Sequence, residues 1–221
     1  MALAHPARSV LRQTLARNVA PGAVLLLVLL CVYGRGLRYP LLLDDEFHIR
    51  DNPTVHSLGN LPRLLWSDYW ETTTSTGNFR PFLKTAFALH YALWGESPAG
   101  YRLVNLLLFS MAGLFLMVVA GRLGLGRWGI SAAAVFYLLH PAQVEVVHNA
   151  VGLGDIACGA LMLAALGIWI APLKARGGTV ESPSAPSPRS SPWGQDGCVM
   201  AGFVFLALGF KETALILVPL L

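Results

Sequence analysis

Residues 41–48, LLLDDEFH, decide how the chain is interpreted, because three consecutive acids follow directly after an apolar run. Carboxylates at a membrane surface are costly to desolvate, so a cluster of them there favours a site over a structural role. A solvated edge at the exit of a membrane segment is the alternative for Asp44, Asp45 and Glu46. The rest of the chain bears on this choice.

The composition indicates an integral membrane protein. Of 221 residues, 55% are hydrophobic and 13% are charged, whereas soluble domains carry about 25% charged residues. The net charge of +4 fits an excess of Lys and Arg on cytoplasmic loops, and it requires no nucleic acid as a partner. Cys31, Cys158 and Cys198 all fall in apolar runs, which predicts small buried side chains rather than a disulfide or a metal site.

The apolar segments predict an all-α, polytopic helical bundle. Three arginines precede a first span at 19–33, so the N-terminus, 1–18, is predicted to be cytoplasmic. Residues 37–98 then form a long outer or lumenal loop within a membrane domain that extends over 19–176. The helix predicted from Arg80 to Trp94 is too short to span, and the aromatic residues around it indicate helices lying at the lipid interface.

Two further spans and two shorter apolar runs are predicted, at 101–121, 156–173, 128–139 and 198–210. Each short run ends in a polar pair on the outer side, and short helices of this kind leave an outward-facing cavity. Segment 177–197 is rich in Ser, Pro and Gly and is predicted to be a disordered cytoplasmic loop. Residues 198–221 are predicted to start further membrane segments of a chain that is incomplete.

This topology brings polar groups from distant parts of the chain to one side of the membrane: Asp44, Asp45, Arg80, His140, Glu145, His148, Asp155, Lys211 and Glu212. Simpler explanations exist for single members. Arg80 and Lys84 fit snorkelling interface anchors, Asp155 fits a helix cap, and Lys211 with Glu212 fits a local ion pair. If each residue had only its own structural role, acids and cations would rarely lie together on one face of the membrane. Their convergence therefore favours a catalytic or binding site.

Transfer of a sugar from a lipid phosphate uses such a set. A carboxylate removes the proton of an acceptor hydroxyl, and cations stabilise the charge on the departing phosphate. Because adjacent residues of an extended chain point to opposite sides, one of Asp44 and Asp45 is predicted to face the acceptor, and the other to orient a neighbour or cap the next turn. The spacing of His140, Glu145 and His148 is not that of a zinc helix; no cofactor is predicted, with a divalent cation left open.

Five pieces of the sequence occur in a telling order: DDEFHIRDNP (44–53), NFRPFLKTAFALHYALWG (78–95), YRLVNLLL (101–108), HPAQVEVVHNAVGLGD (140–155) and GFKETALILVPLL (209–221). Together they resemble the membrane part of tetratricopeptide-repeat O-mannosyltransferases and their bacterial relatives. The wider class is the GT-C glycosyltransferases, which use polyprenyl-phosphate sugars. The resemblance implies a bundle of GT-C type and an inverting transfer of a hexose, mannose-like, to a hydroxyl of an acceptor protein at the outer or lumenal membrane face.

The resemblance also implies roles for single residues. Asp44 corresponds to the catalytic carboxylate, with Asp45 as the next candidate, because residues 45–48 look like the DE-x-H motif of protein O-mannosyltransferases. Arg80, His140 and Lys211 correspond to positions near the donor phosphate. The supporting residues are Glu46, His48, Glu145, His148, Asp155 and Glu212.

Three departures from the family pattern favour a different class of function, one without catalysis. Leu153 and Ala88 stand where the family often has a basic residue, and Phe109 stands where it often has His. The alternative is therefore a non-catalytic membrane scaffold or assembly subunit that keeps the fold. A transporter fits less well, because the polar groups lie at one face and no inverted repeat is evident. The composition, rich in Ala, Gly and Arg and poor in Cys, favours the bacterial inner membrane over the endoplasmic reticulum.

Overall fold

The computed structural model describes residues 24–70, 77–176 and 195–220. The predicted cytoplasmic N-terminus, 1–18, and all but the last three residues of the predicted loop 177–197 lie outside the described residues. Within the described ranges the chain forms helices and connecting turns without a β-strand. The predicted all-α membrane helical bundle is confirmed.

The described ranges contain eight α-helices: α1 (24–33), α2 (Leu61–Leu64), α3 (Pro81–Trp94), α4 (Pro98–Arg122), α5 (Arg127–Leu139), α6 (Gln143–His148), α7 (Leu153–Arg176) and α8 (Gln195–Phe210). Tight 3₁₀ turns occupy Gly34–Arg38, Pro53–His56, Leu58–Asn60, Ala150–Gly152 and Glu212–Leu220, and a wider π-type turn occupies Glu46–Arg50. The helices from α4 onward that were predicted from apolar runs begin and end within three residues of the predicted bounds.

Among the residues that the structure describes, two segments are long and apolar enough to cross a bilayer, Pro98–Arg122 and Ala150–Ile170. At 1.5 Å per residue, α4 is about 37 Å long, which exceeds the roughly 30 Å of a bilayer's hydrocarbon core. The helices α5 and α8 have 13 and 16 residues and measure about 20–24 Å. The bundle therefore combines full-length helices with helices that stop short.

The helices α4 and α7 run parallel and form the centre of the bundle, with α5 packed on α4 and α8 packed on α7. Near the start of α4, Arg102 donates to the carbonyl of His148, five residues before α7 begins. Near the other end, the Arg122 guanidinium donates to the carbonyl of Gly167. Both helices thus leave the same end of the bundle.

The helices α1, α5 and α8 also end at this end of the bundle. The Tyr33 hydroxyl, at the end of α1, donates to the carbonyl of Leu138 at the end of α5, 2.8 Å away. Phe210, at the end of α8, lies beside Gly154 at the start of α7. Chain segments between helices therefore meet at one end of the bundle, and we call it the loop end.

The predicted outer loop packs onto the loop end as a layer with its own apolar core. Buried residues from the loop, α3, the start of α4 and the turn before α7 form one cluster: Leu41, Ile49, Val55, Leu64, Tyr69, Leu83, Phe87, Ala88, Tyr101, Ala150 and Leu153. Two of the three departures from the family pattern, Ala88 and Leu153, belong to this cluster. The third, Phe109, is buried with Tyr33 and Leu106 in the neighbouring cluster.

The cysteines only partly match their prediction. Cys158 is buried against α8 and the turn that comes after it. Cys31 and Cys198 are exposed, so the prediction of buried side chains is wrong for these two. Both lie on helices whose outer surfaces carry other exposed apolar residues.

Candidate functional site

A polar cavity of about 200 Å³ opens at the loop end. Its lining comes from the 41–70 loop, the residue before α3, α6, the turn before α7, α7 itself and the residue after α8: Asp44, Tyr69, Trp70, Arg80, Glu145, Val146, Asn149, Val151, Gly152, Asp155 and Lys211. Five of the polar residues that the sequence predicted to converge therefore lie around one space. We call this space the polar cavity.

Asp44 reaches the polar cavity from a tight turn. Leu43, just before it, has a φ of 52°, a left-handed conformation that is uncommon for a residue with a side chain and is often found at functional sites. The backbone N–H groups of Asp45 and Glu46 then donate to the carbonyls of Leu42 and Leu43, each at 3.1 Å. The pair Asp44-Asp45 is therefore helical, so the extended backbone assumed in the sequence analysis is wrong, although the two side chains do point to different places.

Asp45 turns away from the polar cavity into the protein. Its side chain is 0% exposed, and its two oxygens accept from the backbone N–H groups of Ala150 and Val151 at 2.9 and 3.0 Å. Burial raises the pKa of this carboxyl, while the two N–H donors and Arg102, 4.0 Å away, act in the opposite direction. Asp45 thus holds the turn before α7, and it is Asp44 that lines the polar cavity.

Arg102 is a structural centre that the sequence interpretation did not single out. Its buried guanidinium donates to the carbonyls of Gly36 at 2.9 Å, Pro40 at 2.7 Å and His148 at 2.5 Å, and also to that of Tyr39. These bonds join the segment after α1 to the end of α6. The sequence did contain a signal for this role: an arginine inside a predicted membrane span is energetically costly unless polar groups bind it.

The two cations of the polar cavity each contact a carboxylate from another element. The Arg80 guanidinium makes two bonds to Glu212, at 3.0 and 2.6 Å, and lies 4.8 Å from the centre of the Tyr69 ring. Burial acts to lower the pKa of Arg80, but the hydrogen bond and charge of Glu212, together with the charges of Tyr69 and Asp155, raise it overall. Lys211 donates to the carboxylate of Asp155. Lys211 and Glu212 therefore do not pair with each other.

An aromatic layer backs one wall of the polar cavity. His48 is buried and stacks on Tyr69, with ring centres 4.1 Å apart, and its ring also lies 4.7 Å from that of Trp70. Its Nε2 atom has no hydrogen-bond partner among the described residues. Burial lowers the pKa of His48 to about 4, so the ring is neutral at neutral pH. His48 thus supports the wall from behind.

Lys84 fixes the loop that carries this wall. The side chain is buried, and its ammonium group donates to the carbonyl of Asp68 at 2.8 Å and to the hydroxyl of Ser67. A snorkelling role for Lys84 is therefore wrong. The loop is fixed further by Asp68, whose carboxylate accepts from the backbone N–H groups of Trp70 and Gly77 at 2.9 and 2.8 Å.

Besides Asp45, His48 and Glu212, three further predicted site residues lie outside the lining of the polar cavity. His140 follows α5, is exposed, and accepts from the backbone N–H of Ala142 through Nδ1 at 3.2 Å. The His148 ring packs between the rings of Tyr33 and Tyr39. Glu46 forms an ion pair with Arg50 at 2.5 Å, consistent with their i,i+4 spacing. Within the described part of the chain, no three His, Cys, Asp or Glu residues are grouped as metal ligands.

Sequence comparison finds relatives that are named protein O-mannosyl-transferases. The chain is 35% identical to protein O-mannosyl-transferase Tmtc1 of Drosophila melanogaster over 140 residues, 61% of this chain and 16% of that protein. It is 31% identical to protein O-mannosyl-transferase tmtc2 of Xenopus laevis over 144 residues, 63% and 17% of the two chains. It is 30% identical to TMTC2 of Mus musculus over 153 residues, 67% and 18%.

The chain spans less than a fifth of the length of these relatives. No protein-family model matches it, and no solved structure matches it. The relatives confirm the resemblance that the five sequence motifs indicated. All three come from animals, which does not favour the bacterial inner membrane predicted from composition.

Proposed function

Because the chain is similar to protein O-mannosyl-transferases over about three fifths of its length, we propose that it forms the sugar-transfer site of such an enzyme. The donor is a polyprenyl-phosphate hexose, mannose being the first candidate, and the acceptor is a hydroxyl of a protein. The observation that carries the proposal is the polar cavity, where an exposed carboxylate and two cations meet at one end of a membrane bundle. The partners are thus a lipid-linked sugar, an acceptor protein and the surrounding membrane lipid.

In this proposal Asp44 acts as the general base. Its carboxylate takes the proton of the acceptor hydroxyl while the hydroxyl oxygen attacks the anomeric carbon of the sugar. The bond between that carbon and the phosphate oxygen breaks, so the configuration at the anomeric carbon inverts. The phosphate leaves with an additional negative charge, and Asp44 keeps the proton. The exposure of Asp44 to the polar cavity supports this role, whereas Asp45 has no access to it.

The cations Arg80 and Lys211 stabilise the charge that develops on the departing phosphate. Both line the polar cavity, and the guanidinium group presents paired donors that fit phosphate oxygens. Glu145 and Asp155 line the same space, where they act as hydrogen-bond acceptors for sugar or acceptor hydroxyls. No cofactor enters this scheme.

An apolar groove supports a lipid-linked donor. The groove measures about 350 Å³ and is lined by Leu116, Tyr137, Gly159, Met162, Leu163, Leu166 and Leu217. Its α7 residues follow Asp155 at intervals of three and four, so they share the face of α7 on which Asp155 lies. A donor with its phosphate in the polar cavity can lay its isoprenoid tail along this face.

The animal origin of the relatives favours the endoplasmic reticulum, with the loop end of the bundle in the lumen. A reporter fused within 177–197 should then give a cytoplasmic signal, because α7 ends and α8 begins at the opposite end of the bundle. A lumenal signal from the same fusion would contradict this orientation.

The proposal is tested by transfer from labelled dolichyl-phosphate mannose in membranes that contain the protein. Asp44→Asn should abolish transfer while leaving the amount of protein unchanged. Asp51→Asn is the matched control, because Asp51 is exposed and does not line the polar cavity. Transfer that survives Asp44→Asn would contradict the assigned base.

A second candidate function is a non-catalytic scaffold. It is favoured by Ala88, Phe109 and Leu153, which fill apolar clusters at positions where the family often carries basic residues or histidine. The scaffold function would be supported if the unchanged protein transferred no sugar from any of several polyprenyl-phosphate donors.

A further inference from the structure

We propose that Glu212 is an internal competitor of the donor: its carboxylate occupies the Arg80 guanidinium that the donor phosphate must take over. This inference rests on the proposed function, because it assumes that the polar cavity receives a phosphate. It adds a regulatory contact to that site. Arg80 then exchanges one anion for another each time a donor binds.

The geometry of the contact is that of anion recognition. Arg80 binds the two oxygens of Glu212 with two nitrogen atoms, at 3.0 and 2.6 Å, which is the fork arrangement that also matches two phosphate oxygens. The Arg80 side chain is only 17% exposed, whereas that of Glu212 is 53% exposed. The carboxylate therefore lies on the open side of the pair, where an incoming anion meets it first.

The cation remains in place when the anion changes. The Arg80 guanidinium lies 4.8 Å from the centre of the Tyr69 ring, and this ring is buried and stacked on His48. A cation over an aromatic face is stabilised independently of its anionic partner. Because an ion pair with an exposed partner contributes little free energy, replacing Glu212 by a phosphate costs little.

The exchange requires only a rotation of the Glu212 side chain. The backbone before it is held where α8 ends, because Gly209 packs directly under the Phe82 ring at the start of α3. Lys211 is held separately through its contact with Asp155. The Glu212 side chain can thus leave Arg80 while both cavity cations keep their positions.

A competing role predicts the opposite of a positioning role. If Glu212 only oriented Arg80, then Glu212→Gln would loosen the guanidinium and weaken phosphate binding. If Glu212 competes, the same change strengthens binding, because the phosphate no longer displaces a charged partner. The sign of the effect therefore decides between the two roles.

The experiment is equilibrium binding of farnesyl phosphate to the purified full chain in detergent. Glu212→Gln should bind it about two- to fivefold more tightly than the unchanged protein, which is the factor expected for an ion pair with an exposed partner. Glu145→Gln is the matched control, because Glu145 lines the polar cavity and its change removes the same charge without touching the Arg80 pair. Farnesol, which lacks the phosphate, should bind all variants equally.

Binding of Glu212→Gln that is unchanged, weaker or no stronger than that of Glu145→Gln would overturn the inference. So would a lack of phosphate-dependent binding in every variant. The mannose-transfer assay separates this inference from the proposed function. A gain in farnesyl phosphate binding without any transfer would uphold the competition and refute the enzyme.

Discussion

Replacing Asp45 by Asn should destabilise the protein, whereas replacing Asp44 by Asn should remove activity and leave stability unchanged. The two residues are neighbours in sequence, but only Asp45 is buried. Asp45→Asn removes a carboxylate that accepts two backbone N–H bonds, from Ala150 and Val151. An amide keeps one acceptor oxygen and turns an NH₂ group toward the second donor, so one buried N–H loses its partner.

The magnitude is set by these contacts. A hydrogen bond to a charged acceptor contributes about 1.5–3 kcal/mol, and an unpaired buried donor costs about 1–3 kcal/mol. The Arg102 guanidinium loses a counter-charge at 4.0 Å but keeps its four carbonyl acceptors. Burial raises the pKa of Asp45, so the neutral amide avoids part of the desolvation cost. We expect a net loss of about 2–3 kcal/mol for Asp45→Asn and less than about 0.5 kcal/mol for Asp44→Asn.

Thermal unfolding of the purified variants in detergent measures this difference. In a chain of this size, 1 kcal/mol corresponds to about 2–4 °C, so Asp45→Asn should lower Tm by about 4–12 °C. Transfer from dolichyl-phosphate mannose, measured below both Tm values, should be lost in Asp44→Asn and partly retained in Asp45→Asn. The reasoning is refuted if Asp44→Asn has the larger loss of Tm, or if Asp45→Asn matches the unchanged protein.

Three further changes probe other parts of the site. Gly152→Ala should destabilise the protein by about 2 kcal/mol or more because overpacking is costly: its Cβ would come within 1.9 Å of a backbone oxygen, whereas Gly34→Ala meets nothing within 4 Å and should leave Tm in place. His48→Phe should flatten the pH dependence of Tm. The pKa of His48 is about 4 in the folded protein, so as the pH falls the unfolded chain binds the proton before the folded protein does, and stability decreases. The unchanged protein should lose about 2 kcal/mol between about pH 7 and about pH 5. The Cβ of Gly159→Leu would meet nothing within 4 Å, so this change should narrow the apolar groove and reduce transfer from long-chain donors more than from short-chain ones. Gly202→Leu, whose Cβ also meets nothing within 4 Å, should not.

The helices could be predicted because their signals are long and local. The runs that became α4, α5, α7 and α8 consist of consecutive apolar residues bounded by charges, and such runs have few alternatives at a membrane. Part of the lining of the polar cavity could also be anticipated from the sequence. If the two short apolar runs cross the membrane in the same direction, the polar residues at their ends lie on the same side of the membrane.

The roles within the polar cavity could not be anticipated, because they depend on single backbone angles and on pairs distant in sequence. The positive φ of Leu43 starts a helical turn in which successive side chains differ by about 100°, and an extended chain was assumed instead. Lys211 and Glu212 are neighbours, yet they pair with Asp155 and Arg80, 56 and 132 residues away. Hydropathy carries no information about such pairs.

The three departures from the family pattern acquire a physical meaning in the structure. A basic residue at position 88 or 153 would lie in the apolar cluster beneath the polar cavity, where a buried charge requires a partner. In this chain Ala88 and Leu153 fill that space with apolar atoms, while Arg80 and Lys211 remain as the cations that line the cavity. Under the proposed function, donor affinity should therefore depend mainly on these two cations, and under the proposed competition Glu212 is the anion that occupies one of them at rest.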